Sequence, residues 1–265
     1  MSYRVTLLGC GSSGGVPRVG EGFGTCDPAE PRNRRRRCSI LVETENASGR
    51  TSVLVDTSPD LREQLIDAGI NALDGVLYTH DHADHTHGID DLRGLAQSSR
   101  RKVDTHADER TAAVLHARFG YCFSTPPGSA YPPILNDCRL VAGTWVEIEG
   151  AGGSIAALPF TVGHGDIDAL GFRFGNLAYT PDVKSVPDES LEALANLDVW
   201  IVDALRRRPH PSHWHLDLTL EWIARLKPRR AILTNLHTDM DYQTLCAELP
   251  DGIEPGYDGM VISSH

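Results

Sequence analysis

The apolar residues of this chain gather in short runs of strand length, broken by turns rich in glycine, proline and asparagine. Tyr3 to Leu8, Ser39 to Val42 and Thr51 to Val55 read as strands, the last two joined by a polar turn over Asn46 to Arg50. Val76 to Thr79 is a further strand and feeds directly into a histidine-rich segment. Trp145 to Glu147, Ser154 to Pro159 and Leu170 to Phe174 read as successive strands, and Leu177 to Thr180 and Val199 to Asp203 as buried ones. Asp60 to Ala68 has helical spacing, with Leu61, Leu65 and Ala68 on one face and Gly69 as its stop signal. Arg110 to Phe119 and Leu216 to Leu226 also read as helices, the second just before the strand Ala231 to Thr234. Strands in both halves with helices between them predict an α/β protein, an αββα two-sheet sandwich built from residues 1–265 as one domain. The arginine-rich stretch Gly20 to Arg37 has the length of a functional flap.

Composition narrows the class. With 265 residues, 40% hydrophobic and 23% charged, the chain can bury a full core. Its net charge of −11 argues against a partner such as long DNA or RNA, whose phosphates demand a basic face. The arginines cluster locally instead, at Arg34 to Arg37, Arg206 to Arg208 and Arg229 to Arg230, which suits a small anionic ligand. The six cysteines form no CxxC pair, so a reducing, cytoplasmic setting is expected. The apolar stretch after Met1-Ser2 is too short for a signal peptide, and no run approaches the roughly 18 apolar residues of a membrane helix. No membrane partner is therefore expected, and a homodimer is allowed for.

Gly9-Cys10-Gly11-Ser12-Ser13-Gly14 matches GxGxxG after a strand, the dinucleotide fingerprint. That fingerprint needs a helix next, whereas Val16-Pro17-Arg18 comes instead, so a tight glycine loop is expected there rather than a cofactor site.

The chemistry concentrates in Thr79-His80-Asp81-His82-Ala83-Asp84-His85. Side chains at i and i+2 on an extended segment point the same way, so His80 and His82 can share one metal ion. Asp84 and His85, where the chain turns into a helix, can serve a second. Four candidate ligands in six residues argue against a solvated loop or a lone structural metal. More ligands stand in loops after strands: His164 between Gly163 and Gly165, Asp182 after Leu177 to Thr180, and His237 after Ala231 to Thr234. His87, His106, His116 and His265 are read as packing or surface residues. Trp214 either lines a base or ribose pocket or packs in the core.

This series, HxHxDH followed by H, D and H, resembles the metallo-β-lactamase superfamily and spans nearly the whole chain. The resemblance implies the metallo-β-lactamase sandwich and two divalent ions, zinc or manganese. His80, His82 and His164 would hold the first ion, Asp84, His85 and His237 the second, with Asp182 between them. Asp84 is on this reading a catalytic group as well as a ligand. Asp56 would steer a ligand histidine from outside the metal shell; as a turn or capping residue before Pro59 it has an equally simple role. Leu8 to Gly15, His85-Thr86-His87-Gly88-Ile89-Asp90-Asp91-Leu92-Arg93, His210-Pro211-Ser212-His213 and Tyr257-Asp258-Gly259-Met260 are similar to the phosphodiesterase branch, the PhnP type and more distantly tRNase Z. In that branch a histidine at the position of His213 assists departure of the leaving oxygen. His215 is the competitor for the role, with His213 favoured by its HPxH context. Some PhnP-type relatives carry a structural zinc on closely spaced cysteines; Cys26 and Cys38 lack such partners, and no such site is expected.

The implied activity is hydrolysis of a small cyclic phosphate, nucleotide or phosphoribosyl ester by a metal-bridging hydroxide, with His213 as general acid. Arg37, at the end of the arginine run, and His213 and His215 are the candidate substrate contacts, although a solvated loop accounts equally well for the run. Two alternatives keep the fold: a thioester or lactone hydrolase on the same two metals, and a non-catalytic nucleotide- or metal-binding accessory protein.

Overall fold

The computed structural model of the chain describes residues 3–263, so the readings at Met1, Ser2 and His265 lie outside it. The strands, in chain order, are β1 Arg4–Gly9, β2 Ser39–Asn46, β3 Gly49–Val55, β4 Gly75–Leu77, β5 Val103–Ala107, β6 Leu135–Arg139 and β7 Val146–Ile148. They continue as β8 Ile155–His164, β9 Ile167–Phe174, β10 Leu177–Thr180, β11 Val199–Asp203, β12 Arg230–Thr234, β13 Ile253–Pro255 and β14 Val261–Ser263. The helices are α1 Leu61–Asp67, α2 Ala83–Thr86, α3 Leu92–Ser99, α4 Glu109–Phe123, α5 Leu216–Leu226 and α6 Tyr242–Glu248.

Two seven-stranded mixed sheets result, in the orders β14-β1-β2-β3-β4-β5-β6 and β13-β12-β11-β10-β9-β8-β7. Alternation within the central strands explains why their apolar runs are continuous. Ile40, Val42, Val53 and Val55 meet Phe172, Tyr179 and Ile201 between the sheets. Leu41, Leu54 and Val76 face outward onto Leu61, Leu92 and Leu115 of the helices. Ala178, Trp200 and Val202 face the opposite outer layer, with Trp214, Leu216 and Ile223. This is the four-layer αββα sandwich that the hydrophobic pattern predicts. No helix among the described residues is long and apolar enough to cross a membrane.

The elements missed by the pattern are polar or short. β6 (LNDCR) carries charged residues because it forms one edge of its sheet, β5 (VDTHA) beside it breaks its apolar run with Asp104 and His106, and β13 and β14 span three residues each. β8 runs to His164, well past Pro159, because it pairs along its length with β9. The Gly9 to Gly15 stretch enters no helix, in keeping with a glycine loop.

The segment from Cys10 to Cys38 is long, as expected of a flap, yet it is tied down. Gly11 bridges Leu236, Thr25 N–H donates to the Thr238 carbonyl, and a Cβ on Gly24 would stand 2.6 Å from Thr238. Asp241 is the main tether: one oxygen accepts from Asp27 N–H (3.1 Å) and Asn33 Nδ2 (2.6 Å), the other from Thr244 N–H (2.9 Å) at the start of α6. Burial opposes its charge, but the Thr244 and Asp27 amides and the Asn33 side chain outweigh it and pull the pKa down to about 2. A carboxylate lowered in this way stabilises the fold above the unfolded value of about 3.9, and loses that contribution as pH falls toward 2. Asp241→Ala should cost about 1 kcal/mol as a lost helix cap and speed amide exchange across Asp27 to Arg34. Unchanged exchange there would show that the loop is held by other contacts.

Candidate metal centre

Parallel register decides which residues meet. Thr180 pairs with Val202 and Asp203 with Thr234, so the chain leaves β10, β11 and β12 at one edge, carrying Asp182, Asp203 and Asn235. In the facing sheet Val55 pairs with Leu77, which puts Asp56 and the His80 segment at the corresponding edge. The Leu170 amide donates to the Thr79 carbonyl and stitches the two together. Carboxyl ends of parallel strands are where open α/β sheets place their ligands.

His80 and His82 stand on extended chain, with ring centres 4.5 Å apart, before α2 brings in Asp84 and His85. Ligand atoms of His80, His82 and His164 lie within 4.8 Å of one another, and so do those of His80, His85 and Asp182. Asp84 joins from the side, 3.4 Å from His85 Nε2, while Asp182 lies 3.0 Å from that nitrogen. The imidazoles are aimed by their other nitrogens. His85 Nδ1 meets Asp56 at 2.7 Å, and His164 Nδ1 donates to the Ser212 carbonyl at 2.8 Å. Thr79 Oγ1 donates to Asp56, which leaves it to accept from His80 Nδ1 at 2.9 Å. The rings of His80, His85 and His164 thus present Nε2 to the cleft, the geometry by which outer hydrogen bonds prepare histidine for a metal, while His82 turns Nδ1 toward His164 Nε2 at 3.2 Å.

The chemistry of this donor set fits a cation. His80 Nε2 is buried without a hydrogen-bond partner, which costs about 1–3 kcal/mol in an empty interior, and Asp182 Oδ2 faces only His85 Nε2, at 3.0 Å. Burial opposes charge on His85, but Asp182, Asp84 and Asp56 outweigh it and hold its pKa well above that of free imidazole. Burial, reinforced by His85, pushes His80 well down. Burial would raise Asp182, yet His85 and its neighbours keep that carboxyl well below its ordinary range. Carboxylates held ionised among imidazoles are what divalent ions bind. Asp56 adopts the left-handed φ of 65°, rare for a residue with a side chain, and Asn235 does the same at 61°; both line this site, where such strain tends to persist.

His213 lies at the edge of the cluster rather than apart from it. Its Nδ1 is 2.9 Å from Asp203 and 3.6 Å from Asp182, and it converges with His164 and Asp182. Burial alone would lower its pKa, but the Asp203 carboxylate outweighs that and raises it to about 9. Asp203 itself, fully buried, is pushed up to about 6.

His237 is placed differently from the sequence reading. It belongs to no group of three converging ligand atoms among the described residues, and its Nε2 lies 2.7 Å from Arg18 Nη1. Asn235, two residues earlier, holds the cleft position: its Nδ2 is 3.4 Å from Asp182, 3.2 Å from Asp203 and 3.1 Å from His213. The cause is the left-handed turn at Asn235, which sends Leu236 into the core and His237 toward the Cys10–Cys38 loop. Arg37 is also engaged elsewhere, with Nε 3.1 Å from Asp60. Arg36 pairs with Asp258 and Asp67, and the buried Arg35 bonds Asn33, so this part of the run is largely internal. His215 sits at the N-terminus of α5, outside the converging groups. Trp214 packs in the core, stacked on Trp222 and donating to the Lys184 carbonyl.

Asp203 and Asn235 are the site residues that the sequence reading passed over. Their signal was a carboxylate ending the apolar run VWIVD and an amide ending AILT, the same strand-then-polar pattern that marked Asp182. The flanking glycines of His164 do permit close approach: a Cβ on Gly163 would stand 2.3 Å from Ser185 Oγ, and one on Gly165 2.7 Å from Ser212 Cβ.

Residues 51–235 match the family model described as the beta-lactamase superfamily domain, well over half of the chain. The chain is 32% identical over 97% of its length to a Porphyromonas gingivalis protein named octanoyltransferase, and spans about half (51%) of that relative. Among solved structures it is similar to a diphosphatase from the PhnP family, with TM-score 0.88 and 35% identity, covering 100% of this chain and 98% of that one. The short form of human tRNase Z shares the fold, with TM-score 0.65 and 14% identity over 98% of both chains. The chain belongs to the metallo-β-lactamase superfamily, on the branch of the PhnP-family diphosphatase.

Proposed function

We propose that this metal-dependent hydrolase cleaves a phosphate ester of a small molecule, a cyclic phosphate, nucleotide or phosphoribosyl ester. His80, His82 and His164 would hold one divalent ion, Asp84 and His85 the other, and Asp182 would serve both. Zinc or manganese suits these nitrogen and oxygen donors. When bound, such ions supply Lewis acidity toward phosphoryl oxygens and lower the pKa of water toward about 7.

The observation that carries the reading is the Asp203–His213 pair beside the metal-ligating cluster. With Nδ1 committed to Asp203, Nε2 of His213 has no partner among the described residues and can hold a proton for a leaving oxygen. The carboxylate keeps the ring protonated at neutral pH, as a general acid requires. Asn235 donates its amide N–H groups to Asp182 and Asp203 and so fixes those two carboxylates relative to one another. The net charge of −11 supports small substrates over long nucleic acid, and six free cysteines support a reducing, cytoplasmic setting.

One finding favours a second reading, hydrolysis of an acyl thioester: the matched half of a protein named octanoyltransferase. That name does not say which half carries the activity. Assays of bis(p-nitrophenyl) phosphate beside an acyl thioester separate the two; turnover of the thioester alone would overturn the phosphoester reading.

Elemental analysis of protein purified without chelator should give two transition-metal ions per chain. Asp182→Ala should weaken both, His164→Ala mainly the first, and His237→Ala neither. Loss of an ion in His237→Ala would return that residue to the metal shell.

His213→Ala should keep both ions yet lose on the order of 10²–10⁴-fold in turnover of a diester with an alkoxide leaving group. The loss should be much smaller with p-nitrophenolate, which departs without a proton. Turnover of the alkoxide substrate should also fall as pH rises toward 9, because His213 then gives up its proton; bound cations will move that limb lower. Equal losses on both leaving groups would assign His213 to substrate positioning.

A further inference from the structure

Three of the candidate ligand rings are aimed from outside the cleft, and one is not. His80, His85 and His164 each commit Nδ1 to Thr79, Asp56 or the Ser212 carbonyl. His82 turns Nδ1 inward, 3.2 Å from His164 Nε2, and its Nε2 has no hydrogen-bond partner among the described residues. The residue is also exposed. A ring in that position, with no outer hydrogen bond, has to be oriented through its backbone.

The backbone is where His82 is held. Its carbonyl accepts from Thr86 Oγ1 at 2.8 Å and from the His85 N–H at 3.1 Å. On its other side, the peptide that joins Asp81 to His82 has its carbonyl oxygen on Arg118 Nη1, at 2.7 Å. Side chains alternate along extended chain, so Asp81 points away from the face that His80 and His82 share. There its carboxylate meets Arg110 Nε at 3.3 Å. Both arginines belong to α4, which departs from helical geometry at Phe119, just past Arg118. The Phe119 ring meets His87 edge-on at 5.5 Å, and Cys122 Sγ lies 3.8 Å from Asp90. α4 therefore touches the segment carrying His82, Asp84 and His85 on both sides of them.

These polar contacts are a poor source of fold stability. The helix is seated by its apolar face, Ala112, Leu115 and Cys122. Arg118 is exposed and Arg110 is 53% exposed, and an ion pair made by so exposed a side chain adds little. What a charged donor at 2.7 Å does supply is direction. We infer that Arg118, supported by Arg110, is a positioning residue for the metal centre: it fixes the Asp81–His82 peptide and so sets the His82 ring toward the ion shared with His80 and His164. It does through the main chain what Thr79, Asp56 and the Ser212 carbonyl do for the other rings. The inference rests on the assignment of His80, His82 and His164 to one ion.

Calorimetric zinc titration of the chelator-stripped full chain tests it. Arg118→Ala should weaken one of the two ions by about tenfold, as loss of an outer-shell contact does, and leave the other as in the parent. Its metal-free Tm should match the parent's, and cobalt in place of zinc should show an altered visible spectrum. Arg118→Lys keeps a donor but not the fork, and should recover part of the affinity. In a His82→Ala background Arg118→Ala should change nothing further, because the ring it positions is gone. The inference is overturned if Arg118→Ala binds both ions as the parent does, if both ions weaken equally, if the metal-free Tm falls with the affinity, or if the loss persists undiminished beside His82→Ala. A parent that takes up two ions while Arg118→Ala does the same sinks this inference alone. A parent that takes up fewer than two sinks the metal assignment and this inference with it, and neither result depends on turnover of a phosphoester.

Discussion

Asp56, His80, His85, His164, Asp182 and Asp203 are all buried around one cleft, and that crowding is the constraint to which the rest of the structure answers. A lone buried charge costs several kcal/mol even after relaxation, so each group must be matched. Asp56 takes Thr79 N–H, Thr79 Oγ1 and His85; Asp203 takes His213, Asn235 and the Val183 amide. What hydrogen bonds leave over on the cleft side is the His80 Nε2 lone pair, beside carboxylate oxygens of Asp182 and Asp84 that meet only the His85 ring at 3.0 and 3.4 Å. A divalent cation is the natural complement. The sandwich exists in a form that brings strand ends from two sheets close enough for this matching.

Much of that was legible in the sequence, for a physical reason. Central strands are apolar on both faces, so β3, β10, β11 and β12 stand out as runs that end on polar residues. Chemistry at the end of such a run is easily seen, which is why His80, His82, Asp84, His85 and Asp182 were identifiable and come together. The edge strand β6 buries only part of its side chains, and β5 beside it is interrupted by Asp104 and His106, so neither carries such a signal.

His237 is the candidate ligand that the geometry leaves apart from the converging groups. After β12 the sequence offers Asn235 and His237, and chemical affinity for metal singles out the histidine. The backbone is left-handed at Asn235, and His237 meets Arg18 at 2.7 Å while Asn235 meets Asp182 and Asp203. Asparagine tolerates that conformation better than most residues with a side chain. The arginine run is similar in kind. Arg35, Arg36 and Arg37 form one block in sequence, but they contact Asn33, Asp258 and Asp60 respectively, partners that are distant from one another along the chain.

The proposed ligand set is divided between the sheets: His80, His82, Asp84 and His85 come from the first, His164 and Asp182 from the second. Neither sheet alone can build a tight site, because its donors are too few. A metal ion that engages both sets therefore acts as a rivet across the sandwich, and its affinity contains the free energy of docking one sheet on the other. Ion uptake then becomes a gauge of tertiary assembly. Substitutions deep in the shared core, at Phe172 or Ile201, would reach the chemistry by loosening that docking without touching a single ligand.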